Sequence, residues 1–205
     1  MQKKTRLYLC IGISSPVDDT MNSKGSPLMR LFVAVNFTRE VKDQILQVQE
    51  KLRAQCVKGN FSRPENLHLT LVFIGETPEE KIKTLCKIIN GVKTPSFGVL
   101  FDRTGYFSHS GKELWWIGAD PDSPGLPVLK SIHSQLTHSF EDAGLSVDAR
   151  PLNAHITLGR EIKHPKPIVL DCPGIAVMVD RISLMKSEHL RGVLTYTEIK
   201  DNIDK

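Results

Sequence analysis

The sequence predicts an α+β chain made of two related lobes, and three observations lead there. Segments of strand length, alternating or continuously apolar, are interspersed with three amphipathic stretches of helical period. A nine-residue segment occurs twice: Arg63-Pro-Glu-Asn-Leu-His-Leu-Thr-Leu71 realigns on Arg150-Pro-Leu-Asn-Ala-His-Ile-Thr-Leu158 with six of nine positions identical. The histidines of the two copies, His68 and His155, stand 87 residues apart, about half of the chain beyond residue 30.

The bulk numbers bound this picture. A chain of 205 residues with 40% apolar content supplies one ordinary packed core. Twenty-seven Lys and Arg against 23 Asp and Glu leave a net charge of +4, which admits a polyanionic partner without the dense positive field of a duplex-coating protein. Cys10, Cys56, Cys86 and Cys172 form no Cys-x-x-Cys pair, which argues against a zinc cage and a disulfide framework and for a reducing cytoplasm. No apolar run reaches the roughly 18 residues of a membrane span. Lys3, Lys4 and Arg6 ahead of residues 7–13 imitate a short signal peptide, but that apolar stretch is of minimal length and no convincing small-residue cleavage site follows. Residues 14–28 are rich in Ser, Asp, Asn, Lys, Gly and Pro, so residues 1–28 are read as an extension and 29–205 as the domain.

Within the domain, residues 31–35 form a short apolar strand, and Thr38 is the expected N-cap of a helix whose stripe is Val41, Ile45, Val48 and Leu52. A basic, polar loop should lead from there to Asn66. Residues 67–74 alternate, so Leu67, Leu69, Leu71 and Phe73 are assigned to one strand face and His68, Thr70, Val72 and Ile74 to the other. Thr77-Pro78-Glu79-Glu80 reads as a capping box for a helix carrying Ile82, Leu85 and Ile89 to Gly91. Residues 97–101 and 114–119 are expected as strands around a turn, and 120–125 as a loop. Leu129, Ile132, Leu136 and Phe140 mark a third helix closed by Gly144. Residues 154–158, 176–179, 182–186 and 194–200 complete the strands.

The residue types in the repeat point to chemistry. A strand that only packs would carry apolar residues on both faces or leave one to long charged side chains, whereas each copy here sets His and Thr together. A single His-x-Thr is usually a satisfied polar pair at a sheet edge; two copies with shared flanks reverse that reading. Two histidines with no matching third ligand fall short of a metal site. Paired imidazoles, with reference pKa values near 6.5, suit in-line displacement at phosphorus, one as base and one as acid, with no cofactor. The threonine hydroxyls are then placed to donate to the non-bridging oxygens.

On these motifs the chain resembles the two-histidine phosphoesterase superfamily, and within it the RNA 2′,3′-cyclic phosphodiesterases once named 2′-5′ RNA ligases. The resemblance runs from Arg30-Leu31-Phe32-Val33-Ala34-Val35, through Leu67 to Glu76 and Trp115-Trp116, to His155-Ile156-Thr157-Leu158-Gly159-Arg160. It implies a bilobal α+β fold, each lobe an antiparallel sheet backed by helices, with the site in the groove between them. It further implies His68 as proton donor to the departing O3′, His155 as the base that activates water, and a 2′-phosphate product. Thr70, Thr157 and Arg160 would hold the phosphate, although position alone makes Arg160 a surface charge at a strand end. The expected partners are RNA ends or nucleotides bearing a 2′,3′-cyclic phosphate, met by a monomer in the cytoplasm. A non-catalytic nucleotide-binding module and 2′-5′ end joining as the reverse reaction are the alternatives. Arg63 and Arg150 could reach the groove or merely close turns, and for Phe32, Phe107 and the tryptophan pair core packing is the default.

Overall fold

The structure, a computed structural model, describes residues 27–200. The extension read over residues 1–28, with its signal-like segment and Cys10, thus falls outside the described residues save at its end, where Leu28 already opens the first strand. Among the described residues the order is β1 (Leu28–Asn36), α1 (Arg39–Arg53), β2 (Lys58–Phe61), β3 (His68–Pro78), α2 (Ile82–Gly91), β4 (Phe97–His109), β5 (Lys112–Ala119), α3 (Leu126–Asp142), β6 (His155–Lys163), β7 (Ile175–Val179), β8 (Ser183–Leu190) and β9 (Val193–Glu198).

The strands pair antiparallel in one sheet, ordered β7-β4-β5-β6-β3-β1-β8-β9, with β2 also alongside β6. Two four-stranded halves are visible in that order, β3-β1-β8-β9 and β6-β5-β4-β7. They meet where Leu69 of β3 faces Ile156 of β6. Each half therefore presents, at the junction, the strand that carries one copy of the repeat.

The three helices form because each buries an apolar stripe on the same side of this sheet. Ile45, Val48 and Leu52 of α1, Leu85 and Ile89 of α2, and Leu129, Ile132, Leu136 and Phe140 of α3 share one core with Leu31, Val33, Val35, Leu69, Ile156 and Leu158. Each such fully buried side chain contributes about 1.5–3 kcal/mol. The connections interleave the halves: α1 leaves β1 yet packs under β6 and β7, whereas α3 leaves β5 and packs under β3. Thr38 caps α1, its Oγ1 accepting from the Val41 N–H at 3.5 Å. At the end of α3, Gly144 takes φ +74°, and the Leu145 N–H reaches the Phe140 carbonyl at 2.9 Å.

The structure corrects four of the element assignments. The polar loop before Asn66 contains β2, too short and too polar to show a period, which adds to β6. The capping box is absent: Thr77 is buried at the end of β3, its hydroxyl donating to the Gly75 carbonyl at 3.1 Å, because β3 stays paired with β1 as far as Leu28 opposite Pro78. The turn expected between residues 101 and 114 is mostly strand, with β4 and β5 running to a tight reversal at Ser110-Gly111, both at positive φ. The strict alternation across residues 67–74 breaks after Thr70, with consequences for the site.

Candidate active site

Register places the two His-x-Thr units together. With Leu69 opposite Ile156, antiparallel pairing sets His68 across from Thr157 and Thr70 across from His155. Leu69 and Ile156 are both fully buried against the helices, so the intervening histidines and threonines point to the opposite, open face. His68 and His155 are then diagonal neighbours, a relation that separates backbones by about 7–8 Å in an ordinary sheet.

Just past each threonine the strand carries one extra residue. On β3, Thr70 pairs with Ala34 and Val72 with Val33, leaving Leu71 unmatched. On β6, Thr157 pairs with Trp116 and Gly159 with Trp115, leaving Leu158 unmatched. Leu71 and Leu158 hold the same place in the repeat. A bulge of this kind resets which face later residues take. On β3 it turns Phe73, not Val72 and Ile74, to the histidine face, where Phe73 packs with Phe32 and Ala34 while Val72 and Ile74 join the main core. On β6 it sends Gly159 inward, where a Cβ would stand 3.0 Å from Ile162 Cδ1, and brings Arg160 to the face of His155 and Thr157.

Around His68 the contacts are many. Its Nδ1 lies 2.7 Å from the Asn66 carbonyl and its Nε2 2.9 Å from Thr70 Oγ1. In the neutral ring Nδ1–H donates to Asn66 and Nε2 accepts the threonine hydroxyl. The rings of Phe32 and Tyr196 each stand 5.0 Å from the imidazole. Asn66 also clips β9 in place: its side chain donates to the Leu194 carbonyl at 2.9 Å and accepts from the Tyr196 N–H at 3.2 Å.

His155 is held more simply. Its Nδ1 lies 2.7 Å from the Asn153 carbonyl and the Phe107 ring meets it edge-on at 5.2 Å. Its Nε2 and the Thr157 hydroxyl have no partner among the described residues. Trp116, beside Thr157, lies over Gly105 and Gly118, where a Cβ would come within 2.5 and 2.6 Å of the indole; its neighbour Trp115 is buried in the core. Phe32 and Phe107 are nearly buried, and each lines one histidine.

Burial pushes His68 down to about 4, opposed by its bond to Asn66 and reinforced by the charges of Arg160, His155 and Lys42. Burial lowers His155 as well, against its bond to Asn153 and with the help of Arg160. Both rings are thus neutral at neutral pH in the free protein. Arg160 is itself held down by burial, with Tyr196 opposing and Arg30 adding to the effect. Its Nη1 and Trp116 Nε1 are the buried side-chain nitrogens without a hydrogen-bond partner among the described residues. A desolvated guanidinium with no carboxylate against it is costly unless an anion meets it. Arg63 and Arg150, by contrast, are paired with Glu65 and Asp148.

A family model described as LigT like Phosphoesterase matches residues 35–116. An RNA 2′,3′-cyclic phosphodiesterase of Thermotoga maritima is 31% identical over 172 residues, which cover 78% of this chain and 87% of that protein. The chain belongs to the LigT-like phosphoesterase family. The RNA 2′,3′-cyclic phosphodiesterase of Escherichia coli is likewise 31% identical, over 83% of this chain and 94% of its own. The crystal structure of E. coli LigT complexed with 3′-AMP matches with a TM-score of 0.71 at 28% identity, covering 84% of this chain and 96% of that one.

In this LigT-like chain the five residues expected at the site, His68, His155, Thr70, Thr157 and Arg160, all reach one face of the sheet. Two further polar residues carry no motif that would single them out. Gln49 of α1, 2% exposed, donates to the carbonyls of Leu158 and Ser62, both at 2.8 Å. His133 of α3, 7% exposed, meets the Leu71 carbonyl through Nδ1 at 3.0 Å and the Arg150 carbonyl through Nε2 at 3.1 Å. Each fastens the bulge of one copy to the chain at the start of the other. The signal that could have found them is a polar residue standing inside an apolar helical stripe, next to Val48 and to Ile132.

Proposed function

We infer that this protein hydrolyses 2′,3′-cyclic phosphates, on RNA ends or nucleotides, to 2′-phosphates by general acid-base catalysis between His68 and His155. The observation that carries this reading is the diagonal placement of two imidazoles on adjacent strands, each fixed through Nδ1 so that Nε2 is its working nitrogen. Similarity to proteins named RNA 2′,3′-cyclic phosphodiesterase supports it.

In the reaction His155 Nε2 takes a proton from water as the water oxygen bonds to phosphorus. The P–O3′ bond breaks on the far side, and His68 Nε2 delivers its proton to the departing O3′. Each transfer contributes about 10²- to 10⁴-fold. Thr70, Thr157 and Arg160 hold the non-bridging oxygens, where charge concentrates, and a guanidinium fork suits them. Thr70 links the two tasks. While His68 is neutral its Nε2 consumes the Thr70 hydroxyl hydrogen; once protonated, Nε2 donates instead, and that hydroxyl turns free to donate to the phosphate. Because both rings are neutral without substrate, an anionic phosphate is what favours the proton on His68.

Both copies of the motif come from one chain, which supports action as a monomer. Cys56 and Cys172 are free thiols, which supports a cytoplasmic setting. No helix among the described residues is long and apolar enough to cross a membrane.

The deciding experiment incubates the protein with a nucleoside 2′,3′-cyclic phosphate in EDTA and follows products by ³¹P NMR. A 2′-phosphate is expected. No turnover, or a 3′-phosphate, overturns the reading.

A further inference from the structure

The reaction just described makes the two halves of the site unequal for an RNA strand. If water attacks from the His155 side, the nucleoside whose O3′ departs lies on the His68 side, and the strand continues from that nucleoside's 5′ oxygen. The upstream phosphodiester must then be met by residues of the β3-β1-β8-β9 half.

That half presents an arginine suited to the task. On β1, Leu31, Val33 and Val35 face the helices, while Phe32 and Ala34 lie on the histidine face, so Arg30 lies on the histidine face too. Its guanidinium is set over the Phe73 ring, 5.1 Å from the centroid, and the residue as a whole is half-buried. The bulge at Leu71 is what carries Phe73 to this face, so the platform under Arg30 depends on the same irregularity that shapes the site. Glu76 stands across from Arg30 on β3 but forms no ion pair with it among the described residues. Arg30 also lies near enough to Arg160 for its charge to weigh on that group. Two like charges held in range of each other are stabilised when anions arrive.

We propose that Arg30, seated on Phe73, binds the phosphodiester on the 5′ side of the terminal nucleotide, so that the enzyme prefers an RNA strand end to a mononucleotide. The proposal rests on the reaction assigned above and names a subsite for the strand beside it.

The test compares a dinucleotide ending in a 2′,3′-cyclic phosphate with the corresponding mononucleoside 2′,3′-cyclic phosphate. Wild-type kcat/KM should be higher for the dinucleotide. Arg30→Gln should lower kcat/KM for the dinucleotide about 5- to 10-fold, change the mononucleotide value less than twofold, and reduce the slope of log kcat/KM against log salt for the dinucleotide by about 1. Arg30→Lys, which keeps the charge, should retain part of the preference. Equal losses on both substrates, no loss on either, or a dinucleotide-specific loss in Lys42→Gln but not Arg30→Gln would overturn the proposal. Mononucleotide turnover by the wild-type protein keeps the reaction and the subsite distinguishable: without it the reaction itself fails, whereas with it only the subsite is in question.

Discussion

The two halves of the site share a nine-residue motif and differ in how they hold it. His68 is bonded at both ring nitrogens, flanked by two aromatic rings, and supported by an asparagine that also anchors β9. His155 is fixed at Nδ1 alone, with one ring beside it. The difference agrees with the assigned roles. A general base that activates water needs an open Nε2, whereas an acid gains from a neighbour that can switch between donor and acceptor as the ring gains its proton. The same His-x-Thr unit, placed in different surroundings, is held in two different ways.

The strongest way to break this comparison is to remove each imidazole. His68→Ala and His155→Ala should each lower kcat by about 10²- to 10⁴-fold, and the double variant should fall little below the worse single one, since the pair acts as a unit. Strictly additive losses in steady-state kinetics would separate the two histidines into independent tasks.

Next come the threonines. Thr157→Val removes a phosphate donor and should cost about 10²-fold in kcat. Thr70→Val should cost at least as much and also alter the pH profile, because it deletes His68's partner at Nε2. Identical pH profiles for the two variants would refute the relay between Thr70 and His68.

The pH dependence of stability sharpens the comparison further. A histidine whose pKa is lower in the folded protein than in the unfolded chain binds its proton preferentially when unfolded, so it stabilises the fold above pH 6.5 and loses that contribution on acidification. For His68, held at about 4, the loss spans the interval from 6.5 down to 4 and is on the order of 3 kcal/mol once complete. Urea titrations across this range should show His68→Gln flattening the acid-side slope, with a weaker effect from His155→Gln.

The smallest expected effects separate the asparagines of the repeat. Asn66→Ala should destabilise by about 1–3 kcal/mol, because two backbone groups of β9 lose a buried partner. Asn153→Ala, at an exposed side chain whose backbone carbonyl is the group in use, should stay within about 0.5 kcal/mol. Thermal denaturation of the two variants decides it.

Much of this architecture is legible in the amino-acid sequence. The helical stripes, the Thr38 cap, the Gly144 terminus and the repeat are local patterns, and local patterns are what a sequence displays. The bulges at Leu71 and Leu158 are not, since an unmatched residue exists only relative to the strand it faces. The position of Arg160 on the histidine face follows from one of them, so spacing alone left it a surface charge. The outer length of the β4 and β5 hairpin, between residues 101 and 114, is hidden because its mostly polar residues carry no period of two. The difference between Asn66 and Asn153 cannot be read from the chain at all, because it depends on β9, about 130 residues further along.

The crossing of the helices, with α1 beneath the half it does not belong to and α3 likewise, bears on how such a protein can change. The gap across which the proton pair works is set by the pitch of neighbouring strands, and that pitch is locked from below by both halves at once. Turns bordering the two histidines can be exchanged for longer or differently charged ones, retuning which RNA ends are admitted, while the strand spacing between donor and acceptor nitrogen is inherited unchanged.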